Sequence, residues 1–365
     1  MRIALKTRHF LRYAIFATLV ELGVAGCTSG SEPETGANSS SAQDVPQANP
    51  PEYTIDTVPL PGDGRGDYIT VDPVARRLYV THAEVVHVLD LDSLKVVAEI
   101  GGLGGAHGVA VVPQLGRGFI SDGRDNQVLV FDLATDKIIG AILGGKNPDA
   151  ILYDPASGLV FAFNGTSQDA SVIDPAKAKI VKVIPLGDKP EFSRADGKGL
   201  IFTNLEGDAA IAVIDTKTLE VLKDYKLPDC GAAAAMAFDD VHRRIFSGCE
   251  SRQLKVVDAD SGEILASLPI GEDADGAAFD PQERKVFVAN RDGTMTVIRQ
   301  DDADHYEVEQ DLHTEEYAKT IAIDLKTQRI FSSTAELVWP KAEPGKRLLP
   351  DAKPGTFRLL VISRK

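Results

Sequence analysis

From residue 53 onward the chain is built of short apolar runs rich in Val, Ile, Phe and Tyr, separated by polar turns rich in Asp, Gly and Pro. No window carries the spacing of a long amphipathic helix, so the runs predict strands. The pattern then repeats itself. A first run recurs at 68–73, 108–113, 150–155, 192–196, 236–240, 277–281 and 321–324, a spacing of about 42 residues. A second follows each after a short turn, at 78–81, 118–121, 159–163, 200–203, 245–248, 286–289 and 330–333. Third runs end near an aspartate at 85–90, 128–132, 170–174, 211–215 and 254–258, with 294–298 and 359–362 less regular. Fourth runs close most units, as at 96–100, 138–142, 180–184 and 264–268.

Seven units of four antiparallel strands predict an all-β chain folded as a seven-bladed β-propeller. The last unit reaches Lys365 after only three strands, and an unassigned run at 53–60 supplies the fourth. Pairing the two ends of the chain in one blade closes the ring and leaves no free sheet edge at the seam. A closed ring also predicts a monomer.

Within these units, Leu78-Tyr79-Val80-Thr81-His82, Leu200-Ile201-Phe202-Thr203-Asn204 and Val286-Phe287-Val288-Ala289-Asn290 resemble the YVTN/YncE-like β-propeller repeat. The resemblance covers residues 53–365, and Pro354-Gly355-Thr356-Phe357 is similar to the end of longer members. The motif asparagine is kept as Asn164, Asn204 and Asn290 and replaced by His82, Asp122, Cys249 and Thr334. That family has no single activity, so the resemblance implies a fold and leaves function to the site.

Ahead of the repeats stand two segments of different composition. Residues 1–26 carry four basic side chains and then an apolar stretch of about 11 residues, too short to span a bilayer and suited to a signal peptide. Val24-Ala25-Gly26-Cys27 follows directly and resembles a bacterial lipobox. The resemblance implies cleavage before Cys27 and a diacylglycerol on its sulfur, with Thr28 pointing to the outer membrane, facing the periplasm. Residues 27–52 are rich in Ser, Pro, Asn and Glu and read as a tether to the 53–365 propeller. In that oxidising compartment Cys230 and Cys249 are a candidate disulfide.

Composition is that of an ordinary globular chain, 43% hydrophobic and 25% charged. Without residues 1–26 the chain holds 35 Lys and Arg against 53 Asp and Glu, a net charge of −18 that opposes binding to nucleic acid.

By resemblance to other propellers, a ligand would sit where first strands begin and second strands end. The positions before the first strands are Asp67, His107, Asp149, Glu191, Ala234, Asp275 and Lys319; those after the second strands are His82, Asp122, Asn164, Asn204, Cys249, Asn290 and Thr334. Eleven of these are strongly polar, and they form the candidate ligand site. Asp67, His82, His107 and Asp122, from two neighbouring blades, are candidate ligands for a divalent metal, against the cheaper reading that such residues cap strand ends. Lys319 is expected opposite Asp275 and Glu191, the alanines 232–235 are expected to leave one wall apolar, and the long connection 335–356, with Trp339, Lys341, Lys346, Arg347 and Lys353, is expected to emerge at the same end.

No nucleophile–base pair, phosphate loop or cofactor motif is readable. The leading expectation is a lipid-anchored envelope propeller that binds a small ligand, metal ion or protein partner at its mouth. The alternative is a metal-assisted hydrolase or lactonase using Asp67, His82, His107 and Asp122. A quinone dehydrogenase is disfavoured because Trp339 is the only tryptophan.

Overall fold

The computed structural model describes residues 52–341 and 349–365, all within one compact unit. Seven four-stranded antiparallel sheets follow one another in a ring, with one additional two-stranded hairpin. The signal peptide, Cys27 and the tether lie outside the described residues, as do Lys346 and Arg347.

Each blade runs outward from an innermost strand. Blades 1 to 7 begin with Gly66–Asp72, Ala106–Val112, Pro148–Asp154, Pro190–Ala195, Ala233–Asp239, Ala274–Asp280 and Ile321–Asp324. The second strands, such as Leu159–Asn164 and Lys285–Asn290, are buried along nearly their whole length. Their two faces both meet protein, which is why these runs are continuously apolar instead of alternating. Outermost strands such as Lys137–Leu143 are largely exposed, with Ile142 as the inward anchor.

The core is correspondingly divided. Each junction between neighbouring blades has its own apolar cluster: Tyr79, Val88, Ile120 and Phe131 between blades 1 and 2, and Phe202, Val213, Met236 and Ile245 between blades 4 and 5. The seam is no exception, since Leu78, Leu89, Phe331 and Leu359 join blade 7 to blade 1.

The turns explain the recurring aspartates. Asp72, Asp154, Asp239 and Asp280 end their innermost strands and accept bonds from backbone amides two and three residues on. Asp132, Asp174, Asp215 and Asp258 do the same after the third strands. These are Asx turns, which satisfy loop amides that no strand can reach. Blade 2 has Val112 and Pro113 at its first turn and makes a short 3-10 helix, Pro113–Leu115, ended by Gly116 at φ 60°.

Ring closure follows the expected route. Tyr53–Pro59 pairs with Arg358–Arg364 from Tyr53↔Arg364 to Pro59↔Arg358, completing blade 7. Lys365 N donates to Glu52 O at 2.8 Å just beyond that ladder.

Candidate functional site

In blades 1 to 6 the innermost strand slips register near its start: between Gly66 and Ile69, Ala106 and Val109, Pro148 and Ile151, Pro190 and Ser193, Ala233 and Met236, and Ala274 and Gly276. Asp67, His107, Asp149, Glu191, Ala234 and Asp275 lie inside these irregularities. A bulge leaves a residue out of the ladder and re-aims its side chain, so the same local device recurs around the channel. Lys319 precedes the shorter first strand of blade 7 and completes the ring.

The ring side chains touch. Lys319 Nζ lies 3.0 Å from Asp67 Oδ1 and 2.8 Å from Asp275 Oδ2, tying blade 7 to blades 1 and 6. His107 Nδ1 lies 2.6 Å from Asp67 Oδ2 and 3.4 Å from Asp149 Oδ1. Arg291 Nη2 meets Asp275 at 2.9 Å, and Lys189 Nζ meets Glu191 at 2.5 Å and Glu206. Of the two carboxylates expected to face Lys319 it meets Asp275; its second partner is Asp67, and the cation beside Glu191 is Lys189.

These contacts divide the ring electrically. Burial pulls Asp67 and Asp275 toward the neutral form, but Lys319, with His107 or Arg291, outweighs it and holds both carboxyls below the usual range. Burial likewise opposes charge on His107, yet Asp149 and Asp67 push it up to about 9. Lys319 is held charged by Asp275 and Asp67 against its own burial. Asp149 and Glu191 go the other way. Burial raises both; Glu191, next to Asp149 and facing Asp275, is pushed up to about 8 even though Lys189 sits against it. Lys189 is itself 40% exposed and shared with Glu206, so water screens much of its effect.

Above the ring opens a cavity of about 940 Å³, lined by Asp67, His107, Glu191, Asp275 and Lys319 and by loop residues including Arg65, Arg124 and Tyr317. Ala232, Ala234 and Ala274 form an apolar stretch of its wall. Cys230 and Cys249 are joined by a disulfide, Cα–Cα 5.0 Å, beside that stretch. The long connection of blade 7 reaches the same end: Leu337–Val338 pairs with Asp351–Ala352, and Leu337, Leu349, Asp351 and Ala352 contribute to the lining. Trp339 packs edge-on against Tyr317, and Lys353 pairs with Glu336 at 2.6 Å.

The residues after the second strands have different surroundings. His82 is buried, stacked on Phe357 with centroids 3.7 Å apart, 3.3 Å from His87 Nε2 and 3.2 Å from Gly64 O. Burial drops its pKa to about 4, so the ring is neutral. Asp122 accepts from the amides of Gly104 and Gly105 and from Gln127. Asn164 donates to Asp169 and Ser171, Asn204 to the carbonyls of Ala234 and Ala235, and Asn290 to Thr294 and Thr296. These five are buried and peg strands and loops together beneath the cavity. The structure therefore brings Asp67 and His107 together with Asp149, and leaves His82 and Asp122 in separate bonds of their own blades.

Asp67, His107 and Asp149 each offer one ligand atom, all within 4.8 Å of one another. A metal ion there would have to displace the His107 proton and share Asp67 with the Lys319 ammonium, two charges that oppose a cation. Sequence reasoning missed Arg291 and Lys189, which follow or precede the ring positions by only a few residues and stand out there as basic side chains in acidic surroundings.

Fold and site define a seven-bladed β-propeller whose central mouth is ringed by ionisable side chains from six blades. Among solved structures, the chain is similar to a chain of Kuenenia stuttgartiensis hydrazine synthase, at 16% identity and a TM-score of 0.64, covering 76% of this chain and 94% of that one. With 1776 chains of solved structures matching, the likeness identifies a widely used fold and nothing narrower. No protein-family model and no curated protein matches the chain.

Proposed function

We propose that this chain is a binding propeller of the YVTN/YncE-like kind, held in the bacterial envelope by a lipid on Cys27, and that its mouth takes a small organic ligand bearing a cationic nitrogen and an apolar edge. The observation that carries this reading is the asymmetry of the ring. Asp149 and Glu191 stand side by side on blades 3 and 4, where burial favours their protons even with His107 3.4 Å from Asp149 and Lys189 2.5 Å from Glu191, while Lys319 and Arg291 hold Asp67 and Asp275 ionised on blades 1 and 6. A ligand ammonium placed against Asp149 and Glu191 would replace the proton with a charge pair. The alanine wall of blade 5 adjoins them and suits a hydrocarbon edge.

Phenethylammonium is a suitable probe. It is expected to raise the melting temperature of the wild type, more at pH 8.5 than at pH 6, and to lose that effect in Asp149→Asn/Glu191→Gln. Equal stabilisation by the neutral phenethyl alcohol would refute the reading. A metal-assisted hydrolase is the second reading, favoured by the closeness of Asp67, His107 and Asp149. Stoichiometric metal in the purified wild type, lost in His107→Ala, would favour it over the first.

A further inference from the structure

Further along the channel lies a second cavity, of about 450 Å³, lined by the later residues of the innermost strands. Between it and the mouth, Tyr68 of blade 1 meets Phe192 of blade 4 with ring centroids 4.6 Å apart. Its lining side chains are apolar apart from hydroxyls and one charged group, Arg194, and backbone groups add further polar surface.

Arg194 breaks the repeat. The residue three places after each mouth position is Ala110, Ala237, Ala278 or Ala322 in four blades, Thr70 and Leu152 in two, and Arg194 in blade 4. Its guanidinium donates to Ser193 O and Ala277 O, each at 3.2 Å, and lies 5.1 Å from the centroid of Phe192. Two carbonyls use two of five N–H donors and leave the charge uncancelled. Among the described residues no carboxylate pairs with it, whereas Lys319, Arg291, His107 and Lys189 in the ring above each have one. Burial lowers it only to about 10, so it is charged at neutral pH. Half-buried in the cavity wall with donors to spare, its guanidinium offers a charge and a free edge to an anion in the cavity.

We propose that this lower cavity is a second ligand site, for a small monocarboxylate with an aromatic or branched aliphatic body. The carboxylate would take the free edge of the Arg194 fork, and the body would lie against Phe192, Phe238 and Phe279. One cation in an apolar wall matches one negative charge; a phosphate dianion would keep an uncompensated charge out of water. The volume lies within the range of small-molecule pockets.

Calorimetric titration of the full chain at pH 7 with 3-phenylpropanoate and 3-phenylpropanol tests this. The acid is expected to bind saturably and at least tenfold more tightly than the alcohol. Arg194→Gln should weaken the acid at least tenfold, and Glu191→Gln, in the mouth, should leave it unchanged. If Arg194→Gln does not fold, Ala278→Leu fills the cavity without touching the charge and should weaken the acid to the same extent. No binding of the acid to wild type, equal binding of acid and alcohol, or a loss that follows Glu191→Gln instead of the lower-cavity variants would overturn the proposal.

Discussion

Glu191 and His107 both carry protons at neutral pH, for opposite reasons. Burial beside Asp149 keeps Glu191 protonated up to about 8, whereas Asp149 and Asp67 hold the His107 proton up to about 9 against the effect of burial. In each case the folded chain binds a proton more tightly than the unfolded one, so stability falls as pH rises. For Glu191 the window runs from about 4.5 to about 8, and for His107 from about 6.5 to about 9. Glu191→Gln is expected to flatten the lower part of this decline, gaining about 1–3 kcal/mol on wild type between pH 5 and pH 9. His107→Gln should leave the slope between pH 5 and pH 6.5 intact. Urea unfolding across that range checks both, and an unchanged slope in Glu191→Gln would show that its carboxyl titrates normally.

At the scale of elements, the strands were legible because their signal is local: buried β-branched runs bounded by Asp-Pro and Ser-Gly turns. The first-strand mouth positions came from resemblance to other propellers, and the register slip that re-aims six of them was visible only in the structure. Arg194, Tyr68 and Phe192 were visible only as large residues where other blades have mostly small ones, a signal that emerges when the innermost strands are aligned residue by residue. Blade 5 depends least on such side chains near the mouth, because Ala232 and Ala234 offer little to pack, and the Cys230–Cys249 bridge closes a loop of 19 residues there. Loop-closure entropy puts its contribution at about 3 kcal/mol. Cys230→Ser/Cys249→Ser should therefore melt well below wild type under oxidising conditions and be indifferent to reductant, while reductant brings wild type down toward the variant. Coincident oxidised melts would show that the bridge adds no stability.

On the scale of the whole molecule, seven interblade clusters and a two-ended seventh blade make the ring, and the final pairing of Tyr53–Pro59 with Arg358–Arg364 joins the chain's start to its end. The proposed anchor lies outside the described residues. A diacylated Cys27 supplies two hydrocarbon chains, enough for stable membrane attachment. Labelled palmitate should enter the protein in cells and stay with the membrane fraction, and Cys27→Ser should abolish both; label retained in that variant would rule out Cys27 as the site. The sequence alone determined blade number, strand order and closure, because each rests on short-range periodicity repeated seven times. Only the tertiary structure decided which polar side chains meet. His82 and Asp122 turn into bonds within their own blades, while Asp149 joins Asp67 and His107, because a side chain's direction at a strand end depends on bulges and neighbouring blades that no single repeat contains.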